Sequence, residues 1–299
     1  MSKFYFYKTY GLGIKSTIPF PELKSTGYYS DVVIQYYDNK SPYDDKNLDF
    51  RSKFRSRLNI PILWDGQLIF RVLNGKEILI SHDLHISAIF LRMMILSQGM
   101  AVILQQRGYL LLHASAVNVN DNAIAFLGEV GHGKSTITVA LNERGYPLIS
   151  DDILAIKLER NSNPITFPSF SRIKLNMDVI KHLNYSSNVF TKVHPDFEKY
   201  YFPIQKGFSN DSVPLKIIYV LNKSGKNEIQ SLSSQYKLIN LIKNTYTQDI
   251  FDSDEKASNL LQCADLIKDI KIKHLNVFHS LEKLQELVKI LEEDFLRSI

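Results

Sequence analysis

Residues Ile124-Ala125-Phe126-Leu127-Gly128-Glu129-Val130-Gly131-His132-Gly133-Lys134-Ser135 decide how this chain is read. Gly128 is followed after four residues by Gly133, Lys134 and Ser135, which completes the G-x-x-x-x-G-K-[ST] phosphate-loop pattern. The apolar run Ile124 to Leu127 reads as a buried strand, and Ser135 to Leu141 reads as the start of a helix. Glycines in such a loop let backbone N–H groups from Gly128 to Thr136 turn inward around phosphate oxygens. The helix behind them adds the positive end of its dipole. Lys134 would reach the outer phosphates, and Ser135 is placed to hold a magnesium ion that bridges them.

Outward from the loop, the next informative feature lies one helix and one strand later. The helix after the loop stops at Arg144-Gly145, and Tyr146 to Ser150 forms a short strand that ends in Asp151-Asp152. Carboxylates at that strand end, beside a phosphate loop, face the crevice where a nucleotide sits. One of them can hold a metal while the other orients or deprotonates an acceptor hydroxyl. On the N-terminal side, Tyr109 to Val117 reads as one strand carrying His113, and Asn118 to Asn122 turns it into the loop's own strand. Two adjacent strands before the loop imply a mixed sheet.

The rest of the chain is consistent with a globular α/β protein. Its 299 residues are 44% hydrophobic, enough for one large domain or two modest ones. The formal charge of +5 and pI near 9.0 come from scattered residues. The alternating Arg51, Lys53, Arg55 and Arg57 read as a solvated face, so no nucleic-acid partner is expected. Cys263 is the single cysteine; it rules out an intramolecular disulfide, fits a reducing compartment and reads as a core residue. The N-terminus lacks a signal-peptide pattern. The apolar region Leu84 to Leu104 is interrupted by His85, Arg92 and Gln98, so it reads as a buried helix and no membrane span is expected. The expected location is the cytoplasm.

Residues 3 to 80 read as β-rich, with turns at Asp65-Gly66 and Asn74-Gly75 and a polar loop over Asp38 to Lys53. A helix over 84 to 106 ends at Gly108 as its C-terminal cap. After the loop region, Phe167 to Leu175 reads as extended, Asn176 to Leu183 as helical, and Pro214 to Leu221 as a strong apolar strand. Tyr236 to Asn244 reads as a helix and Asn276 to Phe278 as a last strand. Ser280 caps a closing helix with Leu281, Leu284, Leu287, Val288, Leu291 and Phe295 on one face. The division expected is 1–83, β-rich, and 84–299, catalytic.

Leu112-His113-Ala-Ser-Ala-Val117, the loop Gly128 to Ser135 and Leu148-Ile-Ser-Asp151-Asp152 together resemble the catalytic domain of the HPr serine kinase/phosphorylase family. Tyr10-Gly-Leu-Gly-Ile-Lys-Ser-Thr-Ile-Pro-Phe-Pro-Glu-Leu23 is similar to the opening of smaller relatives that phosphorylate lasso-peptide precursors. The resemblance implies a phosphate-loop core of the HPr kinase/PEP carboxykinase-like type with a mixed sheet, plus a smaller β-rich N-terminal domain. It implies Lys134 and the loop amides as phosphate binders, Ser135 and Asp152 as magnesium ligands, Asp151 as base, and His113 as their partner. The Met-Glu-Ile-Arg-Gly-Leu-Gly segment of the bifunctional enzymes is absent after residue 156, so neither phosphorylase activity nor HPr as substrate is implied. In its place Arg172 and Lys199 are candidates for phosphate or acceptor contacts.

The expectation is an ATP- and Mg2+-dependent kinase acting on a Ser or Thr hydroxyl of a peptide or small protein, with a homo-oligomer left open. The alternatives are a small-molecule kinase and a nucleotide-binding regulatory protein. The β-rich N-terminal region is a candidate for binding the acceptor peptide along an exposed sheet edge.

Overall fold

The structure is a computed structural model. It describes residues 3–37, 58–82, 84–185, 190–193, 198–204, 207–246, 253–278 and 280–299. The polar loop expected over Asp38 to Lys53 and the basic run Arg51 to Arg57 lie outside the described residues. The chain divides into two compact units, Met1–Tyr109 and Leu110–Ile299.

The first unit holds a seven-stranded mixed sheet. Its strands are β1 (Tyr5–Thr9), β2 (Leu12–Ser16), β3 (Lys24–Ser25), β4 (Val32–Tyr36), β5 (Asn59–Trp64), β6 (Gln67–Leu73) and β7 (Glu77–Ile80), in the order β3-β1-β2-β4-β7-β6-β5. Hairpins β1-β2, β5-β6 and β6-β7 turn at Tyr10-Gly11, Asp65-Gly66 and Asn74-Gly75, where both central residues have positive φ. That is the turn whose twist matches antiparallel strands. The helical run α1 (Ala88–Met94), a π-helical turn (Ile95–Gly99) and α2 (Met100–Gln106) follow.

This run is long and apolar enough to cross a membrane by length and composition, and most of it is buried. A side chain at Gly99 would stand 3.0 Å from Ile78 and 3.2 Å from Phe70, so the helix lies close on the sheet there. Gly108, at φ 82°, closes the helix: its N–H bonds Gln105 O and the Tyr109 N–H bonds Leu104 O.

The observed division differs from the expected 83/84 boundary, and the cause is visible at the helix end. Gln106 Oε1 accepts from the Gly75 N–H at 2.6 Å, while Arg107 donates to Gly75 O and Asp31 O, each at 2.7 Å. These bonds tie the helix to the N-terminal sheet.

The second unit is a mixed α/β assembly. Its strands are β8 (Leu110–Leu112), β9 (Ala114–Val119), β10 (Asn122–Leu127), β11 (Leu148–Ser150), β12 (Leu154–Lys157), β13 (Ile165–Phe167), β14 (Arg172–Asn176), β15 (Thr191–Lys192), β16 (Lys199–Pro203), β17 (Val213–Ser224), β18 (Glu228–Ser231) and β19 (Lys271–Phe278). Its helices are α3 (Lys134–Glu143), α4 (Met177–His182), α5 (Ser234–Lys243), α6 (Ser253–Asp269) and α7 (Leu284–Leu296). The main sheet runs β11-β9-β10-β17-β19-β18, and β8, β12 and β13 join at the start of β17. Strands β14, β16 and β15 form a separate small sheet.

Strand β10 shows why the main sheet is covered on both faces. Ala123, Ala125 and Leu127 pack with Leu241 of α5 and with Cys263 and Leu266 of α6. The alternate residues Ile124 and Phe126 pack with Ile137 and Leu141 of α3 and with Leu284, Val288 and Phe295 of α7. A strand buried on both faces is apolar throughout rather than alternating. Truncating Phe126, wholly buried in this layer, to Ala would cost about 3–5 kcal/mol. Burial pushes the Cys263 thiol up to about 11, as fits a core residue rather than a nucleophile.

Three expectations need correction. The strand expected over Tyr109 to Val117 is two strands, broken at His113, because the His113 N–H bonds Asn244 O at 2.7 Å instead of a ladder partner. Ser280 makes no side-chain cap; the closing helix opens with a 3-10 turn over Leu281–Lys283, and Leu281 packs on the α4 cluster. The last strand starts five residues before the expected Asn276, at Lys271.

Candidate active site

The sheet's strand directions bring the site together. β10 runs antiparallel to β9, which runs antiparallel to β11, so β10 and β11 end at the edge where β9 begins. The loop after Leu127, the pair Asp151-Asp152 and His113 therefore share that edge. A second coincidence opens the site. The chain breaks from β8 to β9 at His113, and from β11 to β12 at Asp151-Asp152, while Leu112 still faces Leu154 and Ala116 still faces Ser150. Two neighbouring strands change partners at one level, and both breaks supply site residues.

The phosphate-loop sequence forms a strand–loop–helix. Gly128, Gly131 and Gly133 have φ of 151°, 83° and 93°, values that favour glycine, and Gly133 is the N-cap of α3. A Cβ on Gly128 would stand 3.2 Å from the Leu221 carbonyl. Lys134 is 8% exposed and donates to Gly128 O at 2.6 Å and Glu129 O at 3.2 Å. Burial lowers its pKa; Asp151 and Asp152 oppose that shift and Lys199 adds to it. Glu129 and Val130 are exposed, and His132 contacts Leu221 O through Nδ1 at 3.2 Å.

The two carboxylates have different neighbours. Asp151 is buried and accepts from the Ser135 hydroxyl at 2.8 Å and from the Lys174 N–H at 2.8 Å. Burial and the adjacent Asp152 charge push its pKa up, against the relief of those two hydrogen bonds. Asp152 has positive φ, 78°, in the turn closed by the Ser150 hydroxyl donating to Ile153 O. Its side chain meets Lys174 Nζ at 2.8 Å and His113 Nε2 at 3.3 Å. Burial disfavours its charge, yet Lys174 and His113 outweigh that and hold the carboxyl well below the usual range.

Ser135 thus pairs with Asp151, and His113 pairs with Asp152. Both aspartates reach Lys174 of β14, Asp151 through the backbone N–H and Asp152 through Nζ, while the left-handed turn at Asp152 comes with its contact to His113.

A cavity of about 370 Å³ joins these groups; its lining includes Gly131, Gly133, Lys134, Ser135, Thr136, Asp151, Asp152, His113, Lys174 and Lys199. Lys199 lines the cavity. Arg172 does not line the cavity and lies against the Tyr201 ring, 5.7 Å from its centroid. Lys174 is the site residue that sequence reasoning passed over. Its signal was the alternation in β14, where buried Ile173 and Leu175 leave Arg172 and Lys174 on one face.

No protein-family model matches this chain, and no curated protein matches it. Among solved structures it is similar to the Hpr(Ser) kinase/phosphatase from Coxiella burnetii, at 14% identity, over 62% of this chain and 91% of that one, with a TM-score of 0.33. So slight a likeness carries no argument about activity, and the functional reading rests on the residues.

The residues fit a nucleoside triphosphate with magnesium. The fit is carried by the donor set: a buried lysine folded onto its own loop carbonyls, three glycines in the left-handed region, and a hydroxyl–carboxylate pair that begins at the very next residue, Ser135. Among the described residues no three His, Cys, Asp or Glu side chains cluster to hold a metal. Ser135 and Asp151 are an open pair of the kind magnesium uses when phosphates and water complete its shell.

Proposed function

We propose that this chain is an ATP-dependent kinase that transfers the γ-phosphate to a Ser or Thr hydroxyl of a peptide or small protein. The observation that carries the reading is the division of labour between Asp151 and Asp152 beside the phosphate loop. Lys134 and the amides from Gly128 to Thr136 hold the phosphates; Lys134 exchanges its carbonyl partners for phosphate oxygens. Ser135 and Asp151 would hold magnesium, which neutralises phosphate charge when bound.

Asp152 faces the acceptor. It accepts the hydroxyl's hydrogen bond and aims the oxygen at the γ-phosphorus. As the new O–P bond forms, the P–O bond to ADP breaks and the acceptor proton passes to the Asp152–His113 pair. Lys174 makes Asp152 a weak base, which suits a group that mainly orients a hydroxyl in a loose transition state. Lys199 lines the same cavity and adds positive charge for the transferred group.

The class of acceptor, a ribosomally made precursor peptide of the lasso type, is supported by the resemblance of Tyr10 to Leu23. The N-terminal sheet offers the six-residue strand β5 at one end of its order, where an extended peptide would add, with Pro61 removing one donor.

The test is mass spectrometry of phosphate transfer from ATP–magnesium to peptides encoded beside this gene. Lys134→Ala and Asp152→Asn should each lower turnover at least about a hundredfold. Undiminished transfer in either variant would overturn the role given to that residue.

A further inference from the structure

The site cavity extends beyond the polar groups, along the loop to the ends of β17 and β19. There its lining includes Lys223, Val277, Phe278, Leu281 and Leu284, with Val130 on the loop itself. Sheet order fixes the layout. Along one edge come the end of β11 with the carboxylates, the start of β9, the end of β10 with the loop, then the ends of β17 and β19. The carboxylates lie two strands to one side of the loop and Phe278 lies two strands to the other. With strands about 4.8 Å apart, each arm is about 10 Å. A triphosphate held on the loop with its outer phosphate toward Asp151 and Asp152 therefore directs its nucleoside toward Phe278.

Two exposed apolar side chains flank that end of the cavity, Val130 at 70% and Phe278 at 41% exposure. The β17 end lies between them in the sheet, with Ser224 beside Phe278 in register. An aromatic ring and a branched aliphatic side chain on either side of a crevice suit a flat heteroaromatic ring.

We propose that Val130, Phe278 and Leu281 form the seat of the purine base of the nucleoside triphosphate. The proposal rests on the phosphate-binding reading and specifies what the other end of that ligand meets. Base recognition here is by stacking and apolar contact at a partly open crevice, with Lys223 beside the sugar-phosphate.

The experiment compares ATP with inorganic tripolyphosphate by calorimetry on the full chain, with magnesium present. Wild type should bind both, and ATP more tightly. Phe278→Ala, at an exposed position, should weaken ATP about tenfold and leave tripolyphosphate affinity unchanged. Val130→Ser should act in the same direction more weakly. ATP affinity unchanged in Phe278→Ala, with tripolyphosphate still bound, would overturn the base seat while sparing the phosphate loop. Loss of both ligands in Phe278→Ala while its far-UV circular dichroism and Tm match wild type would also overturn it. Failure of wild type to bind either ligand would overturn the phosphate reading and this seat with it.

Discussion

At the scale of residues, the site separates two adjacent aspartates by giving them opposite environments. Asp151 has its pKa raised by burial and by Asp152, so its ionisation opposes folding. The unfolded chain releases that proton at lower pH than the folded one, and this contribution to stability falls as pH rises above the ordinary carboxylate range. Asn fits the same two partners, accepting from the Lys174 N–H and donating to Ser135 Oγ. Asp151→Asn should therefore gain Tm over wild type at pH 8 relative to pH 4.5 while losing magnesium-dependent transfer. Thermal melts at the two pH values check the first part; a larger gain at the acidic end would contradict the burial argument. Asp152 works in the other sense, because its lowered pKa adds stability that is present above the unfolded carboxylate value and is lost progressively as pH falls below it. The sequence showed both carboxylates and His113, but not which was paired with which. That depends on one left-handed residue, Asp152, which no local pattern announces.

At the scale of elements, turn chemistry was the most legible part. Gly108 and Gly145 end helices as their placement suggests, the latter with Tyr146 N–H bonding Leu141 O. The stretch Tyr10 to Gly13, which carries part of the family resemblance, has a structural explanation of its own. Tyr10-Gly11 is a positive-φ hairpin turn, and Gly13 meets the backbone of Tyr29 so closely that a Cβ would stand 2.5 Å from its carbonyl oxygen. Gly13→Ala should destabilise the N-terminal unit by about 1–3 kcal/mol, read by chemical denaturation, because the clash is with backbone and β2 must shift. The break at His113 was not legible, since the acceptor of its N–H, Asn244 O, is remote in sequence. Helix α6 escaped sequence reading for a different reason. Its buried positions Glu255, Asn259, Cys263 and Leu266 mix polar with apolar side chains, and Leu260 and Leu261 are exposed. The apolar period is therefore weak.

At the scale of the whole molecule, the polar half of the site lies between His113 and Lys199, yet those residues do not make a site alone. Strand β10, which ends in the loop, is held on one side by β9 and on the other by β17, whose residues Leu215 to Val220 pair with it in parallel. A fragment of residues 110–212 contains Lys134, Ser135, Asp151, Asp152, Lys174 and Lys199 but lacks that partner. It should show no cooperative unfolding and no tripolyphosphate binding; a fragment that bound as tightly as the full chain would refute the dependence. The long strand β17 also pairs with β13 at its start and with β19 along the rest. Parallel pairing between segments so far apart requires large loops to close before any contact rewards them, so such a sheet forms slowly. During synthesis the loop and both aspartates leave the ribosome well before β17 and β19. Until then β10 presents an unpaired edge of apolar residues, open to pairing with another chain. The strand that completes the site is thus also the step at which a nascent chain is most exposed to aggregation.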